Sequence, residues 1–117
     1  MMSKHKKIGD DGENMALGYL LDQGYTLMER NYRYSRGEID LIVRKNNVIV
    51  FVEVKTRTGN YFGFPEEWVD DKKEAWIIEV ADYYIHDIDW LGSIRFDIVA
   101  ILKGQKTEIR HFEDAFY

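Results

Sequence analysis

Gly37-Glu38-Ile39-Asp40-Leu41-Ile42-Val43-Arg44-Lys45, the pair Asn46-Asn47, and Val48-Ile49-Val50-Phe51-Val52-Glu53-Val54-Lys55-Thr56-Arg57 form the stretch that decides the fold. Two β-branched runs split by Asn-Asn predict a hairpin with a two-residue turn, because asparagine tolerates positive φ. That loop length fixes the register. Lys45 faces Val48, Arg44 faces Ile49, Ile42 faces Phe51, Asp40 faces Glu53, and Glu38 faces Lys55. Opposed residues have Cβ atoms about 4.5–5.5 Å apart, and like charges at that spacing are destabilising. Two carboxylates set face to face point to something cationic between them.

The period of two sharpens this reading. One face carries Ile39, Leu41, Val43, Val48, Val50, Val52 and Val54, an unbroken core face. The other carries Glu38, Asp40, Glu53 and Lys55 at one end, then Ile42, Phe51 and Ile49. A purely solvated face has no need of those apolar residues, so the acids are expected in a partly covered cleft. The competing reading is an amphipathic sheet with a charged outer face and a Glu38–Lys55 ion pair across the strands. A slip of one residue would move every side chain to the opposite face.

At 117 residues, with 45% apolar and 15% aromatic composition, the chain has the size and make-up of one globular domain, residues 1–117. It has no cysteine, which excludes disulfides, thiolate zinc sites and a cysteine nucleophile. The basic start, Met1 to Lys7, leads into no long apolar run, so neither a signal peptide nor a membrane span is expected and the location reads as cytoplasmic. Net charge is −5, with ten Lys/Arg against eight Asp/Glu in residues 1–60 and six against thirteen thereafter. The cations, Arg36, Lys55 and Arg57 among them, gather in the half with the opposed acids. Either a local phosphate-facing surface or an ordinary solvated strand face fits that distribution.

Outward from the hairpin, residues 11–23 predict a first helix, with Asp10 or Asp11 as cap, Gly24 as stop and Ala16, Leu17, Leu20 and Leu21 buried. Glu13 sits on its inward face, a place equally explained by the helix dipole. Residues 25–34 predict a first strand. Residues 58–67 read as irregular, with Gly59, Gly63 and Pro65 as breakers and Tyr61, Phe62 and Phe64 beside Trp68. Such aromatics stack on unpaired bases or fold back over a core edge. A second helix is expected over 69–86, with Val69, Ile77, Val80, Ala81 and Tyr84 inward. Lys73 lies on that stripe, either snorkelling or aiming its charge at the sheet. Strands over 93–103 and 106–112 close the chain. His86 and His111 lack metal-ligand spacing and read as structural.

If Asp40 and Glu53 bind a cation, all-oxygen ligation selects Mg²⁺ or Mn²⁺ over zinc. The ion would lower the pKa of a water and neutralise charge on a phosphate. Lys55 would orient the water or stabilise the charged phosphorus centre, and Arg57 would hold a neighbouring phosphate. This set suits phosphodiester hydrolysis.

Asp, a strand-turn-strand interval and Glu-x-Lys resemble the signature of the PD-(D/E)xK, or restriction-endonuclease-like, nuclease superfamily. The chain is more closely similar to the YraN-like family of small, largely uncharacterised bacterial proteins. The resemblance rests on Gly12-Glu13, Ala16, Tyr19-Leu20, Arg30-Asn31, Gly37 to Ile42, Phe51 to Arg57, Val69 with Lys73, Ala81 with Tyr84, and Arg95 to Val99. It implies an α/β fold with a central mixed five-stranded sheet flanked by helices. It also implies metal ligands at Asp40 and Glu53, a catalytic lysine at Lys55, and an auxiliary ligand at Glu13, as in archaeal Holliday-junction resolvases. Glu38, Arg57, Lys73 and Arg36 would support the site or face phosphates. Ile39 stands where the superfamily's name has proline.

The leading expectation is a metal-dependent endonuclease acting on DNA, branched or otherwise structured. A small domain has little surface for sequence readout, which favours shape and phosphate recognition, with a homodimer as one way to enlarge it. The alternative is a catalytically silent nucleic-acid-binding or protein-interaction module. Hydrolysis of a small phosphate ester is disfavoured by the lack of a small-ligand motif.

Overall fold

The computed structural model describes residues 4–58 and 70–116. Along the chain lie α1 (Lys4–Asp22), β1 (Thr26–Tyr34), β2 (Gly37–Lys45), β3 (Val48–Thr58), α2 (Asp71–Asp87), β4 (Ser93–Lys103) and β5 (Thr107–Phe112). The strands form one mixed sheet in the order β1-β2-β3-β4-β5. β3 and β4 run parallel, joined by the crossover that contains α2, and the other neighbours are antiparallel. Neither helix is long and apolar enough to cross a membrane.

The hairpin register is the expected one from Lys45↔Val48 to Leu41↔Val52, and Asn46 takes the turn at φ 53°. There the β2–β3 ladder stops. β2 continues beside β1 through Ile39↔Tyr32 and Glu38↔Arg33, while β3 continues beside β4 to Thr58↔Lys103. Glu38 therefore does not meet Lys55 as the register alone implied. It accepts from the Arg33 guanidinium at 2.6 and 3.1 Å, its neighbour across the β1 ladder.

Each face of the sheet is covered by a helix. α1 lays Ala16 and Leu20 on Leu41, Val43, Val50, Val52, Val99 and Ile101. α2 lays Ile77, Val80, Ala81 and Tyr84 on Ile42, Ile49, Phe51, Phe96 and Ile98. Alternate residues of β3 thus serve alternate cores, as its period of two requires. Burial of each such large apolar side chain stabilises the fold by roughly 1.5–3 kcal/mol.

Ile39 departs from the expected face and packs with the α2 cluster. Asn31, between the partners of Leu41 and Ile39, adopts a left-handed φ of 52°, while the register shift of this strand pair lies further along, between Leu27 and Glu29. On one side of Asn31 Arg30, paired with Leu41, reaches Glu13 on α1; on the other Tyr32, paired with Ile39, meets the Tyr84 ring at 5.0 Å.

The helices also differ at their margins. α1 begins before the expected Asp10–Asp11 cap, since aspartate inside a helix costs less than about 1 kcal/mol relative to alanine and no proline intervenes. Its buried line runs Gly12–Ala16–Leu20, leaving Leu21, expected inside, 47% exposed. α2 starts at Asp71, capped by Asp70, whose carboxylate accepts from the Lys73 N–H at 2.8 Å. Val69 and the aromatic stretch Tyr61, Phe62, Phe64 and Trp68 lie outside the described residues.

Gly37 brings α2 against β2. A Cβ there would stand 2.6 Å from Val80 Cγ2 and 2.8 Å from the Trp76 carbonyl oxygen, whereas one on Gly18 meets nothing within 4 Å. In urea denaturation, Gly37→Ala is expected to lose about 1–3 kcal/mol through overpacking. Gly18→Ala should gain up to about 1 kcal/mol from helix propensity. Equal effects at the two sites would remove the close approach of α2 as the reason for Gly37.

Candidate functional site

Where β2 and β3 part, the Asp40 side chain reaches across the gap, and Oδ2 accepts from the Val54 N–H at 2.7 Å. A side-chain bond replaces the ladder bond that the divergence removes. Beside it Glu53 is only 5% exposed. Its Oε1 lies 3.3 Å from the Lys73 Nζ and 3.9 Å from the Lys55 Nζ. Its Oε2 is buried with no hydrogen-bond partner, the one such side-chain oxygen or nitrogen among the described residues. An orphaned buried carboxylate oxygen carries a desolvation cost of about 1–3 kcal/mol or more.

The electrostatics follow from burial. The Glu53 carboxyl is pushed up to about 8, first by loss of solvent, then by the Asp40 charge and by a side-chain hydrogen bond to Asp40 that only the protonated acid can donate, against the pull of Lys73 and Lys55. Burial pulls the Lys55 ammonium down to about 8, with Glu53 opposing. Both partners thus move towards neutrality: burial outweighs their mutual attraction at 3.9 Å, and Asp40 beside Glu53 and Lys73 beside Lys55 push the same way. Burial also disfavours charge on Lys73, but the nearer Glu53 carboxyl outweighs it and the net shift is upward.

A cavity of about 470 Å³ opens over these groups, lined by Asp40, Glu53, Glu38, Arg36, Gly37, Asp70, Lys72, Lys73, Trp76 and Ile77. The fold thus gathers Asp40, Glu53, Lys55 and Lys73, with Glu38 and Arg36 at the cavity wall. Glu13 faces Arg30 at 3.5 Å, and Arg57 donates to the Thr56 carbonyl at 3.0 Å; neither lines the cavity. Among the described residues, no three His, Asp or Glu side chains converge as a metal cage. A divalent ion here would rest on two carboxylates, an arrangement Mg²⁺ accepts when water and phosphate oxygens complete its shell.

Lys72 and Trp76 escaped the sequence reading. Their spacing of four places them on one helix face, and the Lys72 Nζ lies 5.2 Å from the Trp76 ring centre. A second buried acid was also missed as a centre. Asp97 is fully buried, and its carboxylate accepts two 2.8 Å bonds from Arg95 and one of 3.0 Å from the Asp114 N–H. His111 Nε2 lies 2.6 Å from Oδ2, and its Nδ1 lies 3.1 Å from the Tyr19 hydroxyl. Burial alone would raise the Asp97 pKa, but His111, Arg95 and the Asp114 N–H together hold it below the usual carboxylate value. The alternation of Arg95 and Asp97 was visible; their convergence with β5 and α1 was not.

Glu53 has a folded-state pKa above its ordinary 4.5, so the stabilisation from retaining its proton is complete below about pH 4.5 and is lost as pH rises through about 8. Glu53→Gln preserves the shape without the ionisation. In chelator, its stability relative to the parent chain should therefore rise across that window and level off above it. A difference that stays flat in urea titrations from pH 4 to 9 would mean that folding does not raise the pKa of the Glu53 carboxyl.

The model of the uncharacterised protein family UPF0102 matches residues 12–101. The chain is 39% identical over 117 residues to a UPF0102 protein of Flavobacterium psychrophilum, covering 99% of this chain and 98% of the relative. It is 49% identical over 98 residues to one from Cytophaga hutchinsonii, covering 84% and 87%. A third, from Alkaliphilus oremlandii, is 44% identical over 118 residues, covering 96% and 99%. The match spans the latter part of α1, the hairpin with both acids, α2 and most of β4, and the chain therefore belongs to the UPF0102, or YraN-like, family.

Proposed function

We propose that the chain is a metal-dependent endonuclease that hydrolyses phosphodiester bonds of structured or branched DNA, on a restriction-endonuclease-like fold. The observation that carries this reading is the Glu53 Oε2, buried without a partner beside the Asp40 carboxylate and under two lysines. A chain that leaves a buried carboxylate oxygen unsatisfied next to a second acid has a place for a divalent cation. The donors are all oxygen, which fits Mg²⁺ or Mn²⁺. Asp40 and Glu53 would hold it, and the bound ion would supply charge neutralisation at the scissile phosphate and a more acidic water.

The chain's own residues do the rest. Lys55, whose ammonium is destabilised by burial, is poised near neutral pH to orient the attacking water or exchange a proton with it. Lys73, held at 3.3 Å from Glu53, keeps positive charge at the cavity and faces the charge that builds on the phosphate oxygens. Arg36 and Lys72 on the wall supply further phosphate contacts. Asp40, tied to the Val54 N–H, keeps the two strands at a fixed separation as substrate enters.

Purified protein incubated with linear, single-stranded, flapped and four-way DNA, with Mn²⁺, Mg²⁺ or chelator, tests the reading. Cleavage is expected only with metal, and Asp40→Ala or Lys55→Ala should slow it by about 10²-fold or more. Cleavage that persists in both variants would dismiss this site. Tight, salt-sensitive binding without cleavage of any substrate would identify a silent nucleic-acid-binding module instead. Calorimetric titration of Mn²⁺ should show binding that is lost in Asp40→Ala.

A further inference from the structure

Trp76 is out of place as a core residue. It lies on α2 between the buried Ile77 and the solvent face, and it is half-buried. Yet it belongs to neither apolar cluster among the described residues, although its helix neighbours Ile78 and Ile85 pack against the α2 core. Instead it lines the cavity that holds Asp40 and Glu53. The Lys72 ammonium one turn earlier lies 5.2 Å from its ring centre. A site that gripped only phosphates would need cations, and Arg36, Lys72 and Lys73 already supply them. A large aromatic wall in the same cavity fits the flat face of a base.

Taking the nuclease reading as its premise, we propose that Trp76 stacks on an unpaired base next to the phosphate held at Asp40 and Glu53. The substrate class is then DNA with single-stranded or unstacked nucleotides at the cleavage point. Inside a duplex both faces of a base are covered by its neighbours, so only an unpaired nucleotide can offer a face to the indole. The cavity, about 470 Å³, lies within the roughly 300–1,000 Å³ range of small-ligand sites. One nucleotide fits there; a duplex does not. Lys72 serves both ends of that nucleotide, as a partner to the indole and a contact for the flanking phosphate.

The test is a ratio of affinities. Fluorescence anisotropy, in chelator so that nothing is cut, compares one labelled oligonucleotide as a single strand and as a duplex. Against the parent chain, Trp76→Ala should lower the preference for the single strand about tenfold or more, the change produced by about 1.4 kcal/mol of lost stacking. Trp76→Phe keeps an aromatic face and should lower it less than about threefold. Circular dichroism melts confirm that each variant is folded. A preference unchanged in a folded Trp76→Ala chain, or a loss shared equally by both DNA forms, would overturn the proposal. Cleavage with Mn²⁺ is read separately. A parent chain that cuts nothing, yet whose single-strand preference depends on Trp76, would remove the nuclease reading and keep the stacking contact. One that cuts duplex and single strand alike, whether or not Trp76 is present, would do the reverse.

Discussion

Two acids directly opposed across a β-ladder destabilise it when both are ionised, and the geometry around Asp40 and Glu53 answers to that constraint. The β2–β3 ladder ends one pair before them, at Leu41↔Val52. Beyond it β2 stays with β1 and β3 with β4, so a wedge opens in the middle of the sheet. Asp40 spans the wedge through the Val54 N–H, and the start of α2 roofs it. Gly37 permits that roof, since any side chain there would strike Val80 and the Trp76 carbonyl.

The two buried acids of this fold are governed by opposite rules. Asp97 receives donors from Arg95, His111 and the Asp114 N–H, and it remains a carboxylate with no solvent contact. It joins β4, β5 and, through His111 and Tyr19, α1. Such a network is fully satisfied and rigid. Glu53 has one oxygen shared loosely between two lysines and the other with no partner. Its environment favours the neutral acid, and that of Lys55 favours the neutral amine. Burial without satisfaction lowers stability, and natural proteins tolerate that mostly where chemistry or binding requires it. Satisfaction separates the structural acid from the functional candidate; burial does not.

How much of this was legible depended on the distance over which the information is encoded. Turn chemistry and alternation are local, so the Asn46-Asn47 hairpin and its register as far as Leu41↔Val52 followed from consecutive residues. The expected Asp40–Glu53 ladder pair did not form, because the strands part there. The α2 stripe of Ile77, Val80, Ala81 and Tyr84 was equally open to reading, because a period of 3.6 needs no tertiary information. Ile39 was misplaced because strict alternation fails between it and Leu41, opposite Asn31 with its left-handed φ on the neighbouring strand, a backbone feature that the β2 sequence does not encode. The Glu38–Lys55 pair failed because a register rule assumes that two strands stay together. The Asp97 centre draws on Tyr19, Tyr25 and His111, residues up to 92 positions apart, which only a folded chain brings together. Trp76 was passed over because an aromatic at helical spacing reads as core by default.

Charge is unevenly distributed along the chain. The chain carries a net charge of −5, and its second half holds thirteen acids against six bases. Most of the surface therefore repels a polyanion, weakly and within about a Debye length of 8–10 Å. Arg36, Lys72 and Lys73 stand together on the cavity wall, with Lys55 close behind at Glu53. Glu38, Asp40, Glu53 and Asp70 line the same cavity, so its wall carries both signs of charge, and the bases are set locally against the acids. Net charge alone argued against a nucleic-acid partner. On the proposed reading the acids of the cavity hold a divalent cation, and that ion, together with Arg36, Lys72 and Lys73, would offset the charge of a phosphate.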